Sequence, residues 1–330
     1  MSLSVFAKIP VPTLELEQPV HYVDSAVSVV KFREPLVSGD VKRKLHRHVL
    51  DLKLNPEYIQ HLGIYDLVAK VYNLGVSNHP LNQYRLWLLV STLEILIFEF
   101  DDYFDKSLLR TPENIAKLSK EMRGVLRSLS RHNLSGLQGS LEDWPAEVPC
   151  KQAYLWHLRE AEDLREGTAQ LIHDTFVDYC YGVEVEVTEW QSDVNKGDLT
   201  AWNLDRYNDA RKHSVGLAYA IVGPLYIANK WLQKEHIITC TDLVYDASIL
   251  TVLGNDILGM NRDRGDSGTM TSLKLLASSS EVVQYHNELV EVLHKKVIEL
   301  ECNTRHYMEE VEAAVVAFFL WQSRAERYAV

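Results

Sequence analysis

The sequence predicts an all-α protein, and three observations carry that expectation. Seven of its ten prolines fall in the first 112 residues and two more at 145 and 149, so only Pro224 interrupts the last 181 residues, where long helices can run. No alternation of period two lasts long enough between turn signals to build a sheet. Apolar residues instead recur at helical spacing through Tyr84 to Phe100, Ala153 to Cys180, Ser214 to Trp231, Leu243 to Met260 and Val282 to Trp321.

The first of these stretches, LWLLVSTLEILIFEF (86–100), is apolar on nearly every side, which a helix tolerates only when other helices surround it. It predicts a central helix, and the aspartates of DDYFD (101–105) sit at its end. The segments 130–149 and 263–272 are rich in glycine, serine and aspartate and predict loops. With no repeat and no low-complexity linker, the chain of 330 residues predicts one domain with a large core.

Composition narrows the function. Hydrophobic content of 46% with 24% charged residues is the balance of a soluble globular protein. A formal charge of -12 argues against a general nucleic-acid or anionic-membrane surface, because those need clustered cations. Any anionic ligand is then held locally. Cys150, Cys180, Cys240 and Cys302 stand far apart, which predicts neither a zinc site nor a disulfide framework and fits a reducing, cytoplasmic compartment. The amino-terminal MSLSVFAKIPVP does not read as a secretory signal. The longest uncharged apolar run, Val215 to Ala228, is too short for a membrane anchor.

On a helix, Asp101 and Asp105 project from one face a turn apart, with Asp102 about 100° away. Two such carboxylates suit a hard cation, and oxygen ligation favours Mg²⁺, which bridges protein carboxylates to substrate phosphates. The plainer reading is a solvated acidic helix end, and the run of Leu, Ile and Phe before it is what argues otherwise. A second candidate set lies in NDILGMNRD, where Asn255, Gly259 and Asp263 follow at i, i+4 and i+8, so that an amide and a carboxylate share one face. Arg211, in RYNDARKHSVG, precedes a glycine-containing helix break. Arg324 and Arg327, in WQSRAERYAV, have an ordinary explanation as cations favoured at a helix carboxyl end. Taken together, two sets of oxygen ligands, arginines and a tyrosine hydroxyl are what a site needs to hold a diphosphate through Mg²⁺ and stabilise it as it leaves.

In their order and spacing these motifs resemble a class I terpene synthase of the single-domain microbial type, over most of the chain. The resemblance implies the helical bundle of that family with a central active-site cavity, and residues 1–50 packing over the active-site side. It implies Asp101 and Asp105 as Mg²⁺ ligands, Asp102 paired to an arginine, and Asn255 and Asp263 as ligands in a motif resembling N-D-x-x-S-x-x-x-E. Arg211 resembles the family's diphosphate-sensing arginine, with Ser214 and Val215 at the linker and effector positions. Arg262 stands where relatives carry a basic diphosphate contact, and Arg327 with Tyr328 resembles the carboxyl-terminal Arg-Tyr pair. Phe98 and Trp321 fall where relatives place cavity aromatics, although either residue type on an apolar helix is more often core.

Two departures stand out: Gly259 replaces the usual Ser or Thr ligand, and Asp263 the longer Glu. The implied activity is ionisation and cyclisation of a linear isoprenyl diphosphate, farnesyl diphosphate first and geranylgeranyl diphosphate second, with three Mg²⁺ ions and with a homodimer left open. The rival readings are a chain-elongating prenyltransferase, which needs a second D-D-x-x-D motif where this chain has N-D-x-x-G, a class II cyclase, whose D-x-D-D motif EFDD only approximates, and a non-catalytic isoprenoid-binding paralogue.

Overall fold

A computed structural model describes residues 39–65, 67–68, 80–105, 111–130, 141–263, 270–276 and 278–322. Among them the regular structure is helical, with no strand. The helices, in chain order, are α1 (Gly39–Asp51), α2 (Glu57–His61), α3 (Pro80–Asp105), α4 (Pro112–Ser130), α5 (Lys151–Leu164), α6 (Thr168–Val185), α7 (Gln191–Lys196), α8 (Leu204–Ser214), α9 (Leu217–Ala228), α10 (Lys234–Asp263), α11 (Ser279–Ile298) and α12 (Cys302–Gln322). Most of residues 1–50, the predicted amino-terminal cover, lies outside the described residues.

The apolar stretch 86–100 forms the inner part of α3, where Leu89, Val90, Leu93, Ile95 and Leu96 are fully buried. Helix α3 packs on α5 and α9, and α6 packs on α4, α5, α8 and α9. Helix α10 packs on α8, α11 and α12. By length and composition Lys234–Gly259 matches a membrane span, but 67% of its apolar window is buried inside the bundle, so here it is a core helix. All four cysteines are free, three of them buried and Cys302 exposed.

Two of the predicted helical stretches are broken. Ala153 to Cys180 is divided between α5 and α6, because Arg165 is extended and Gly167 takes φ +79°. The Arg165 guanidinium donates to the carbonyls of Tyr226, Asn229 and Leu232, which follow or end α9, so a long-range capping contact overrides the local periodicity. Val282 to Trp321 is divided between α11 and α12. The predicted loop at 130–149 gives turns over 142–147, and its middle, 131–140, lies outside the described residues.

Among the buried imidazoles of the described residues, two are held strongly towards the neutral form. His157 shares a hydrogen bond of 2.9 Å with Thr92 Oγ1, and burial pushes its pKa down to about 3. Burial likewise pushes His286 down to about 4. Both are neutral in the folded chain and bind protons near 6.5 once unfolded, so their contribution is intact above that pH and is lost as pH falls below it. We expect the Tm to fall between pH ~6.5 and ~5, with each histidine costing up to about 1.4 kcal/mol per pH unit. A Tm that is flat or rises over that interval contradicts this.

Candidate active site

At the carboxyl end of α3 the helical repeat sorts side chains by direction. Glu94, Ile97, Phe98, Asp101 and Asp105 fall within an arc of about 100° around the helix axis and line one cavity. Phe100 and Phe104 point elsewhere, into an aromatic cluster in which Phe100 meets Trp144, Phe176 and Tyr179 at ring-centroid distances of 5.7 to 6.2 Å. The aromatics interleaved with the aspartates therefore belong to two surfaces. Phe98 faces the cavity, and its neighbours anchor the helix.

Asp102 lies on another face of α3. It faces away from the cavity into an adjoining hollow with Asn55, Glu99 and Tyr103, where it accepts a hydrogen bond from the Tyr58 hydroxyl. The reason is its 100° offset from Asp101, which turns a buried carboxylate towards α2. The structure thus gives Asp102 a role in docking α2 on α3.

Across the cavity, α10 contributes Thr251 and Asn255. The Asn255 Oδ1 is buried without a hydrogen-bond partner, an arrangement that costs stability unless a ligand satisfies it. Asp256 points differently: it accepts from Tyr207 Oη at 2.5 Å and from Ser272 N and Oγ at 2.8 and 2.6 Å, fastening the segment after α10 to α8. Burial pushes the Asp256 carboxyl above the usual range against the opposing pull of Arg211. Asp263 ends α10, and its side chain lies outside the described residues, as do that of Arg262 and the whole of Arg327 and Tyr328.

Arg211 enters from α8. It donates through Nη1 to Glu186 and, at 3.2 Å, to Ser214 Oγ, whose hydroxyl in turn donates to Glu186. Burial works against the charged guanidinium, but Glu186, Tyr207 and Asp256 outweigh it and raise its pKa well above the ordinary value. Arg211 Nε is buried with no acceptor.

Sequence reasoning missed Glu186. It opens a π-helical turn, Glu186–Trp190, that follows α6, and wide turns of this kind often mark functional positions. A Cβ on Gly182 would stand 2.4 Å from Ser214 N, so only glycine lets α6 approach α8 closely enough to bring Glu186, one turn on, against Arg211. The predicted linker and effector residues, Ser214 and Val215, both line the cavity. Val215 lines the cavity in ordinary helical backbone, whereas the break between α8 and α9 is Gly216, with φ +71°. A Cβ there would meet Ile97 at 3.3 Å.

The remaining wall is largely hydrocarbon and aromatic: Leu217, Ala220, Phe318 and Trp321 line it. Trp321 packs on Phe98 with ring centroids 5.5 Å apart, and its Nε1 donates to the Leu62 carbonyl at 2.8 Å, which fixes the ring at the cavity wall. Among the described lining residues the charges are Glu94, Asp101, Asp105, Glu186 and Asp256 against Arg211 alone. Such a field repels an anion and attracts cations, so an anionic ligand here would need accompanying cations. The donor set suits Mg²⁺: two carboxylates one turn apart and an amide oxygen with no partner, all oxygen. No cluster of three His, Cys, Asp or Glu side chains occurs among the described residues, so the amide is needed to complete the set.

No protein-family model matches the sequence, and a search of curated proteins finds no match. Solved structures do match the fold. A germacradien-4-ol synthase from Streptomyces citricolor aligns over 97% of this chain and 99% of its own, with TM-score 0.59 and 13% identity. A protein from ancestral sequence reconstruction aligns over 86% and 84%, with TM-score 0.62 and 16% identity. The fold is that of a class I terpene synthase. A further terpene synthase, the linalool/nerolidol enzyme of Streptomyces clavuligerus in complex with 2-fluorogeranyl diphosphate, aligns over 90% of this chain and 100% of its own, with TM-score 0.55 and 14% identity.

Proposed function

We propose that this protein is a Mg²⁺-dependent terpene synthase that ionises and cyclises a linear isoprenyl diphosphate, with farnesyl diphosphate the preferred substrate and a sesquiterpene the product. One observation carries this reading: Asp101 and Asp105 from α3, Asn255 from α10 and Arg211 from α8 line the same cavity as Phe98, Phe318 and Trp321. A diphosphate with a hydrocarbon tail is the ligand whose two halves match those two linings. The fold and the synthases it resembles support the same reading.

In this mechanism Asp101, Asp105 and Asn255, with Asp263, would hold the metal ions, which would supply positive charge to offset that of the leaving diphosphate. Arg211, released in part from Glu186, donates its unpartnered Nε–H to a diphosphate oxygen. Ser214 keeps the guanidinium oriented through the Glu186 carboxylate. Arg262, Arg327 and Tyr328 contact the diphosphate from the carboxyl ends of α10 and the chain. The faces of Phe98 and Trp321 then stabilise positive charge on the hydrocarbon without offering it a nucleophile.

The test is incubation with Mg²⁺ and, side by side, geranyl, farnesyl and geranylgeranyl diphosphate, followed by diphosphate assay and gas chromatography. The expected result is a cyclic product from the fifteen-carbon substrate, abolished by a metal chelator. Chain elongation, or no diphosphate release from any of the three, overturns the reading.

A further inference from the structure

The hydrocarbon wall of the cavity is interrupted below the metal level. On α10, Thr251 lies four residues before Asn255, about 6 Å further in, and on α3, Glu94 lies seven before Asp101, about 10 Å further in. Both line the cavity, and both are almost wholly buried, Thr251 2% and Glu94 1% exposed. Thr251 is set apart from other helical threonines of this chain. Thr92, Thr175 and Thr241 each donate to the carbonyl four residues back, whereas Thr251 Oγ1 has no hydrogen-bond partner at all. Gln322, on a third wall, also has an unpartnered buried oxygen, Oε1. A cavity meant only to shield a carbocation gains nothing from the Thr251 hydroxyl and the Gln322 oxygen, each of which costs stability while unsatisfied. A water molecule is the small ligand that accepts from a hydroxyl and donates to a carboxylate at once.

We propose that Thr251 and Glu94 hold a water molecule inside the cavity that captures the final carbocation, so that the product is a terpene alcohol. This rests on the terpene synthase reading above and deepens it. The water oxygen forms a C–O bond to the cationic carbon with its own lone pair, and the resulting oxonium loses a proton to the Glu94 carboxylate. Glu94 returns the proton to solvent when the site opens. The net change is an isoprenyl diphosphate and water to an alcohol and diphosphate, with no change of oxidation state. Gln322 Oε1, unpartnered in the same cavity, offers the water a further acceptor.

The experiment runs the wild-type protein with Mg²⁺ and the three isoprenyl diphosphates in water enriched in heavy oxygen. Diphosphate release and product mass are measured separately. The expected product is an alcohol that carries the solvent oxygen. In Thr251→Val, which keeps the shape and removes the hydroxyl, the ratio of alcohol to olefin falls about tenfold, and Thr251→Ser restores it. Diphosphate release with olefins alone, or an unchanged ratio in a folded Thr251→Val, overturns this proposal and leaves the terpene synthase reading standing. Absence of diphosphate release from every substrate overturns both.

Discussion

Asp101→Ala is expected to lower diphosphate release by roughly a thousandfold, about 4 kcal/mol of transition-state stabilisation, while leaving the fold in place. Asp101 is the inner of the two aspartates that α3 presents to the cavity, and Asp105 stands one turn beyond it. Losing it removes a ligand from a set that already lacks the oxygen a serine at position 259 would bring. Its loss is structurally cheap because α3 is anchored on other faces, by Phe100 and Phe104 in the aromatic cluster and by Asp102 against Tyr58. Steady-state release with farnesyl diphosphate and a thermal melt, run on the same preparation, separate the two effects. Full activity in the variant would remove Asp101 from the site. A collapsed melt would show that the carboxylate is structural.

Arg211→Ala is expected to damage both quantities. Catalytically it removes the described cation of the cavity, at a cost of about a hundredfold or more in kcat/KM. Structurally it leaves the buried Asp256 and the partly buried Glu186 without their counterion, and breaking such a pair from one side costs up to about 3 kcal/mol. The double variant Arg211→Ala, Glu186→Gln separates these effects. Neutralising the stranded carboxylate restores much of the Tm and none of the diphosphate release. Recovery of activity in the double variant would mean that Arg211 serves only to neutralise Glu186.

How far the site was legible follows from how local each signal is. The grouping of Asp101 with Asp105 and Phe98 needs only the helical repeat, and the structure places all three on one cavity face. Arg211 before a glycine break is equally local, and Gly216 does break the chain there. The direction of Asp102 follows from the same repeat, but its partner Tyr58 lies 44 residues earlier, which no spacing rule reaches. Glu186 gave no signal because three separate features bring it to Arg211: a π-helical turn, a glycine at 182 and the end of α8. Arg165 hid the break between α5 and α6 for the same reason, since the carbonyls it binds lie 61 to 67 residues away.

The amino-acid sequence by itself determined the helical class, the central position of α3 and which side chains share each helix face, since these follow from backbone periodicity and from burying apolar surface. Only the tertiary structure decided which faces look at one another. It set Asn255 across from Asp101, handed Asp102 to Tyr58, gave Arg211 its carboxylate and left Thr251 without a partner inside the cavity. Periodicity fixes a direction around one helix axis, whereas a site is made where several axes cross, and close packing between helices settles those crossings.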